Sequence, residues 1–265
     1  MTGSVRITAG AGLVAAALVL SACTGSSPAE APETVAEVPE VGTCRVLEPA
    51  DVAEPVDTSG TVDCAEPHTA ETYAVGQLPE RFREAEWDDR RLGAFAYDRC
   101  TTTFMRFLGA TESMVLRTLV SWAWFRPSED AWAEGARWYR CDVVGGTEAS
   151  EALLELPETA KGLMLPEPPD DYMACVAGDA VVGAPRVPCS EPHQWRAVTA
   201  IKVGEPDDPY PGDRLVEVTT RDYCADSVSA WLDYPLQYTF AYTWFHEAEW
   251  TAGNRLSVCW ARTEG

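Results

Sequence analysis

The chain carries the same cysteine-bearing motifs twice, and this duplication constrains its fold more than any other feature. A Cys-x-Glu-Pro-His element occurs at Cys64–His68 and again, 125 residues later, at Cys189–His193. In both halves an aromatic, strand-like segment and the pattern W-x-x-G-x-R-x-x-x-C follow in the same order, ending at Cys141 and Cys259. Motifs that recur in one order at nearly constant spacing predict two tandem copies of one domain.

The motifs and the cysteines divide the 265 residues into segments. Repeat 1 is predicted at residues 42–146 and repeat 2 at residues 171–263, with four cysteines in each. Residues 147–170 are predicted to be a linker, with a short helix at residues 150–156 that Pro157 ends. We expect the apolar side chains of this linker to pack between the repeats; they are Leu153, Leu154, Leu163, Met164 and Leu165.

Each repeat has the pattern of a small α+β domain. A strand-like run follows the E-P-H turn, at residues 72–75 in repeat 1 and 197–201 in repeat 2. Apolar residues then recur at i, i+4, i+7 and i+8 from Cys100 and from Cys224, as in a helix that packs on a sheet. Two more strands close each unit. The predicted fold is therefore α+β, with two tandem disulfide-bonded domains that each have one main helix on an antiparallel sheet.

The N-terminal segment has the features of a bacterial lipoprotein signal peptide. After an n-region with one arginine, an apolar run from Ala9 to Leu20 is too short to cross a hydrocarbon core of about 30 Å. It ends in Leu-Ser-Ala-Cys, which resembles a lipobox, so residues 1–22 are predicted to be cleaved and Cys23 to carry lipid. The alternative is an ordinary cleavage site beside an unrelated cysteine. Residues 23–41, rich in Pro, Ala and Glu, are predicted to form a disordered acidic tether.

The cysteine count fits the same interpretation. Assigning Cys23 to lipid leaves eight of the 9 cysteines, an even number. Disulfides are the default in an exported chain. If cysteines pair only within a repeat, and in the same order in both repeats, three connectivities are possible. We favour the one that joins the first cysteine of each repeat to the second and the third to the fourth. The favoured pairs are Cys44–Cys64, Cys100–Cys141, Cys175–Cys189 and Cys224–Cys259.

A zinc site is the alternative use of these cysteines, since each C-x-E-P-H element places a thiol and an imidazole four residues apart. Structural zinc usually takes four ligands in compact patterns such as CxxC. The chain contains no CxxC, so we predict no metal and no cofactor.

Two groups of residues are candidates for binding. Glu66, His68 and Glu71 could form a polar site, because histidine exchanges protons and hydrogen bonds near neutral pH. The alternative, which we favour, is that the imidazole bridges backbone groups at a tight turn, since repeat 2 has Arg196 in place of the last glutamate. The second group comprises Trp132 and Arg137 of the W-x-x-G-x-R element, whose guanidinium is predicted to stack on the indole ring. This pair could form a surface that binds a partner or a glycan. The alternative, which we favour, is that the stack stabilises the hairpin.

Charge and motifs exclude several function classes. A net charge of −22 argues against nucleic acid, which requires clustered Lys and Arg. No G-x-S-x-G, S-x-x-K or P-loop motif occurs. The segment Asp57–Gly60 resembles an aspartic-protease triplet, but it has an inserted residue and no second copy.

The C-x-E-P-H element, the cysteine-bearing helix and the pattern P-S-x-x-x-W-x-x-G-x-R-x-x-x-C together resemble the septum-formation domain family of actinobacterial exported and membrane proteins. Repeat 1 carries the full pattern, whereas repeat 2 lacks the proline and the glutamate that follows the histidine. The resemblance implies a link to cell division. We expect a non-enzymatic binding or scaffold role on the extracytoplasmic face of the cell membrane, with another envelope protein or a cell-wall component as partner. The alternatives are an envelope hydrolase and a lipoprotein that binds a small ligand or a metal.

The lipobox predicts that Cys23→Ser releases the protein from the membrane. Each buried CH₂ of an acyl chain contributes about 0.8 kcal/mol to anchoring, so loss of the lipid removes nearly all membrane affinity. Detergent phase partitioning should move the variant to the aqueous phase, while a Ser27→Ala control stays in the detergent phase. Equal partitioning of variant and control would contradict lipid attachment.

Overall fold

The structure, a computed structural model, describes residues 37–147, 149–205, 207–251 and 253–263. The predicted signal peptide, Cys23 and most of the predicted tether lie outside these residues. Within the described residues, no helix is both long and apolar enough to cross a membrane.

The two repeats have closely similar elements. Those of repeat 1 are β1 (Cys44–Arg45), α1 (Pro49–Ala53), β2 (Thr61–Val62), β3 (Ala70–Gln77), α2 (Arg90–Leu108), α3 (Glu112–Val115), β4 (Ser121–Phe125), α4 (Glu129–Ala133) and β5 (Trp138–Val144). Those of repeat 2 are β6 (Ala174–Val176), β7 (Arg186–Pro188), β8 (Trp195–Lys202), α5 (Asp213–Trp231), β9 (Phe240–Thr243), α6 (Glu247–Thr251) and β10 (Leu256–Arg262).

Each repeat forms a five-stranded antiparallel sheet, and the strand order is the same in both. The orders are β2-β1-β3-β5-β4 and β7-β6-β8-β10-β9. One long helix packs on each sheet, α2 in repeat 1 and α5 in repeat 2. The structure therefore confirms the α+β class and the two tandem domains that the sequence predicts.

Local sequence sets the ends of the long helices differently in the two repeats. The Asp89 carboxylate accepts a hydrogen bond from the Arg91 amide and caps the start of α2. Gly109 ends α2 in the left-handed region at φ 70°, where glycine has no steric penalty. After α5, Asp233 and Tyr234 adopt left-handed φ angles of 65° and 55° although neither is a glycine.

Four disulfides join each long helix to its closing strand and each first strand to the turn after the second strand. They are Cys44–Cys64, Cys100–Cys141, Cys175–Cys189 and Cys224–Cys259, the four pairs favoured from the sequence. Cysteines in disulfides are not available as thiolate ligands for zinc.

The linker differs from expectation in two ways. Residues 150–156 form turns and irregular chain rather than a helix. Only the end of the linker, at Glu167, Pro168 and Asp170, lies between the repeats. Residues 153–164 pack on repeat 1 instead, where the fully buried Met164 joins the core that α2 forms with the sheet. The main-chain N–H groups of this segment donate hydrogen bonds to carbonyls at the ends of strands and helices, which sequence periodicity does not reveal. The donor and acceptor residues are Leu154 and Gly145, Leu156 and His68, Gly162 and Phe107, and Met164 and Leu108. Leu165 is exposed.

The disulfides predict unequal losses of stability. Cys100 and Cys141 close a separation of 41 residues, whereas Cys175 and Cys189 close one of 14. The chain-entropy model gives about 4 kcal/mol for the longer loop and about 3 kcal/mol for the shorter one. In urea denaturation, replacing Cys100 and Cys141 by Ala should therefore lower the free energy of unfolding more than replacing Cys175 and Cys189 by Ala. The reverse order would contradict this prediction.

Candidate functional site

Both E-P-H histidines close their own turns. Nδ1 of His68 lies 2.8 Å from the Glu66 carbonyl oxygen, and Nδ1 of His193 lies 2.7 Å from that of Glu191. A carbonyl oxygen only accepts, so Nδ1 carries the proton in both rings. Both side chains are buried, and Nε2 of His68 has no hydrogen-bond partner among the described residues. The same bond in both repeats favours the structural role.

Glu71 holds the linker in place. Its carboxylate accepts hydrogen bonds from the Thr159 hydroxyl at 2.9 Å and from the Ala160 amide at 2.7 Å. The Glu66 side chain is exposed, and only its backbone carbonyl contacts His68. No hydrogen bond in the described part of the chain joins the side chains of these three candidate residues.

The W-x-x-G-x-R elements form the predicted stacks. The guanidinium carbon of Arg137 lies 4.0 Å from the ring centroid of Trp132, and that of Arg255 lies 3.4 Å from the Trp250 ring. Arg137 also donates to the carbonyls of Trp132 and Ala136 at 2.7 and 2.8 Å. Both indoles are buried, so the element fixes the turn between the short helix and the closing strand.

A buried cluster of charged residues in repeat 1 was not predicted from the sequence. Asp57 Oδ2 lies 2.6 Å from Nη2 of Arg140 and 3.5 Å from Nε of Arg45. Asp142 Oδ2 lies 2.9 Å from the same Nη2, and its Oδ1 accepts a hydrogen bond from the Thr72 hydroxyl at 2.8 Å. These four charged side chains are almost wholly buried.

Burial and pairing shift the acidic groups of this cluster in opposite directions. Burial alone would raise the pKa of Asp57, but the charge of Arg140, with hydrogen bonds from Ser59 and Arg140, lowers it below the ordinary value. Burial raises the pKa of Asp142, and Arg140 opposes that shift.

Repeat 2 has apolar residues at the strand positions of this cluster. The sheet register pairs Thr72 with Asp142 in repeat 1 and Ala197 with Trp260 in repeat 2. By the same register Val176 and Val258 replace the two arginines. The sequence signal that could have revealed the cluster is therefore a difference between the aligned repeats, in which charged residues of repeat 1 align with apolar core residues of repeat 2.

A cavity of about 370 Å³ lies where the repeats meet. Helix α3 packs against β8, and Arg117 bridges the repeats by donating to the Ser113 carbonyl at 3.0 Å and to the Val198 carbonyl at 2.8 Å. The cavity is lined by Arg117, Glu167, Pro168, Asp170, Met173, Arg196, Ala197, Val198 and Trp231. In the described part of the chain, no group of three His, Cys, Asp or Glu side chains is placed to hold a metal ion.

The family model for septum formation matches the chain twice, at residues 21–126 and 117–259. The chain therefore belongs to the septum-formation family, and this membership indicates a septum-related role at the cell envelope. No curated protein and no solved structure matches the chain at a significant level.

The buried cluster predicts that Asp57→Asn destabilises repeat 1 by about 3 kcal/mol, because two buried arginines lose a charged partner. The folded-state pKa of Asp57 is lowered, so its contribution is present above the unfolded value near 3.9 and fades as the pH falls below it. Denaturation at pH 7 and pH 3 should therefore show a smaller effect at pH 3. Asp63→Asn, at an exposed turn, is the control, and equal stability of the two variants would contradict the prediction.

The histidine turns predict that His68→Ala and His193→Ala each cost about 1 to 3 kcal/mol, because each removes the hydrogen bond that closes the turn and leaves a cavity where the buried ring was. His246→Ala, at a side chain 58% exposed, should leave the melting temperature nearly unchanged. Thermal denaturation of the three variants checks this expectation. Normal melting of His68→Ala, together with a division defect in cells, would instead make this turn a functional site.

Proposed function

We propose that this septum-formation protein is a non-enzymatic binding or scaffold protein, anchored to the extracytoplasmic face of the cell membrane by lipid on Cys23. Family membership supports the link to the septum. The predicted tether of residues 23–41 would allow the folded part an average reach of about 25 Å from the anchor. The partner would be another envelope protein or a cell-wall component.

The observation that carries this proposal is the cavity at the junction of the repeats. The polar motifs that both repeats share are used for internal bonds, namely the histidine turns and the Trp–Arg stacks. The junction instead brings together side chains that the repeats do not share, including Arg117, Arg196 and the half-exposed Trp231. A concave site with a few converging polar groups is typical of ligand binding.

Photo-crosslinking in cells tests this proposal. A photoreactive residue at position 231, next to the cavity, should capture a specific envelope partner, whereas one at exposed Tyr97 on helix α2 should not. A fluorescent fusion should be enriched at the division site and lose that enrichment in the Cys23→Ser variant. Uniform distribution around the envelope, or identical capture from both positions, would contradict the proposal.

The hydrolase alternative predicts a different result in vitro. The purified protein should release soluble fragments from isolated cell walls if it is a hydrolase, and we expect no release above a buffer control. Release that is lost in a cavity variant such as Trp231→Ala would favour the enzyme.

A further inference from the structure

In repeat 1, the groove between the start of β3 and the end of α2 already contains a peptide segment, residues 156–164 of the linker. The Glu71 carboxylate accepts hydrogen bonds from this segment at one end of the groove. At the other end, the carbonyls of Phe107 and Leu108 accept its main-chain N–H groups at 2.8 and 3.0 Å. The fully buried Met164 fills the apolar part between them.

Among the described residues, no segment forms main-chain hydrogen bonds across the equivalent groove of repeat 2, although Glu167, Pro168 and Asp170 of the linker line it. Sheet register places Arg196 at the position of Glu71, and the cysteine-bearing helices place Trp231 at the position of Phe107. The cavity of about 370 Å³ lies between these two residues. Within the described residues, no hydrogen-bond donor reaches the main-chain carbonyls of Trp231 and Leu232.

The residue at the position of Glu71 has the opposite charge in repeat 2, although the carboxylates of Glu167 and Asp170 also line that cavity. Repeat 1 offers a carboxylate to main-chain donors, whereas repeat 2 offers the guanidinium of Arg196, and Arg117 lines the same cavity from repeat 1. Arg196 pairs with Asp170 at 2.5 Å. No carboxylate among the described residues lies within ion-pair distance of Arg117, which bonds to two carbonyls instead. Burial, and next the charge of Arg196, lower the pKa of Arg117.

We propose that the repeat 2 groove binds the carboxyl-terminal end of a peptide, with its carboxylate on Arg117 and Arg196. Guanidinium groups bind carboxylates through charge-assisted hydrogen bonds that can be bidentate. The last apolar side chain lies against Met173 and Trp231. Because no residue follows a terminal carboxylate on Arg196, the residues before it donate their main-chain N–H groups to the helix-end carbonyls, and the peptide runs in the opposite direction to the linker in repeat 1. This inference rests on the proposed binding role and adds its site and ligand class.

Asp170 competes with the ligand for Arg196. It is the only carboxylate among the described residues that pairs with this guanidinium. Removing its charge therefore frees Arg196 for an incoming carboxylate. A site of this kind gains affinity when Asp170 is neutralised, a result that a purely structural role for the Arg196–Asp170 pair does not produce.

Calorimetric titration with acetyl-Gly-Leu-Met, the sequence of residues 162–164, tests the proposal. The full folded protein should bind the peptide that ends in a free carboxylate. Its affinity for the same peptide with a terminal carboxamide should be lower by about tenfold or more. Arg196→Gln and Trp231→Ala should each weaken binding by about tenfold. Asp170→Asn should strengthen it by a few fold, and Arg221→Gln, an exposed arginine of α5 paired with Asp222, should leave it unchanged.

The outcomes separate this inference from the proposed function. Melting temperatures close to the parent's verify that the Arg196 and Trp231 variants fold. Equal binding of the carboxylate and carboxamide peptides, no binding of either, or no effect of Arg196→Gln overturns the ligand assignment. If septal enrichment and partner capture persist in Arg196→Gln cells, the ligand assignment fails while the proposed function stands.

Discussion

In each repeat, a fully buried disulfide connects the long helix to the closing strand, and the other elements are arranged around it. Cys100–Cys141 and Cys224–Cys259 fix the helix over the three longer strands of each sheet. In repeat 1 the Tyr73 hydroxyl adds a bond to the Cys100 carbonyl at 3.0 Å. With this layer fixed, the helix end and the first long strand define a groove beside the core in both copies. A domain of about 100 residues buries limited apolar area, so such a covalent bond determines whether this geometry persists.

Much of the architecture follows from local patterns in the sequence. The apolar spacing from Cys100 and Cys224 identifies the helices, and the strand-like runs after each E-P-H turn identify β3 and β8. The duplicated cysteines reduce the possible pairings to a few. Such features are readable because they depend on residues close in sequence or on a comparison of one copy with the other.

The remaining features depend on contacts that no local pattern encodes. Asp57 and Arg140 are 83 residues apart in sequence, and Arg140 occupies a variable position of the W-x-x-G-x-R-x-x-x-C pattern, so no motif pairs the two. The linker follows repeat 1 because its N–H groups reach free carbonyls at element ends, which apolar spacing does not indicate. The cavity could not be located from the sequence either, since it needs Arg117 from one repeat and Arg196 from the other. Divergence between copies, such as Glu71 against Arg196, was the only sequence signal for it.

The linker in repeat 1 makes the two copies unequal in a way that duplication alone does not. A segment covalently joined to its own groove is present at an effective concentration that is typically millimolar or higher. A free molecule of similar chemistry would need to exceed that concentration to displace it. The first copy is therefore closed to outside competitors by its own chain. In the second copy, among the described residues, the Asp170 side chain pairs with Arg196 but no main-chain segment bonds across the groove. A ligand there would displace one ion pair rather than a covalently joined peptide, so the second copy is the more open of the two to a new specificity.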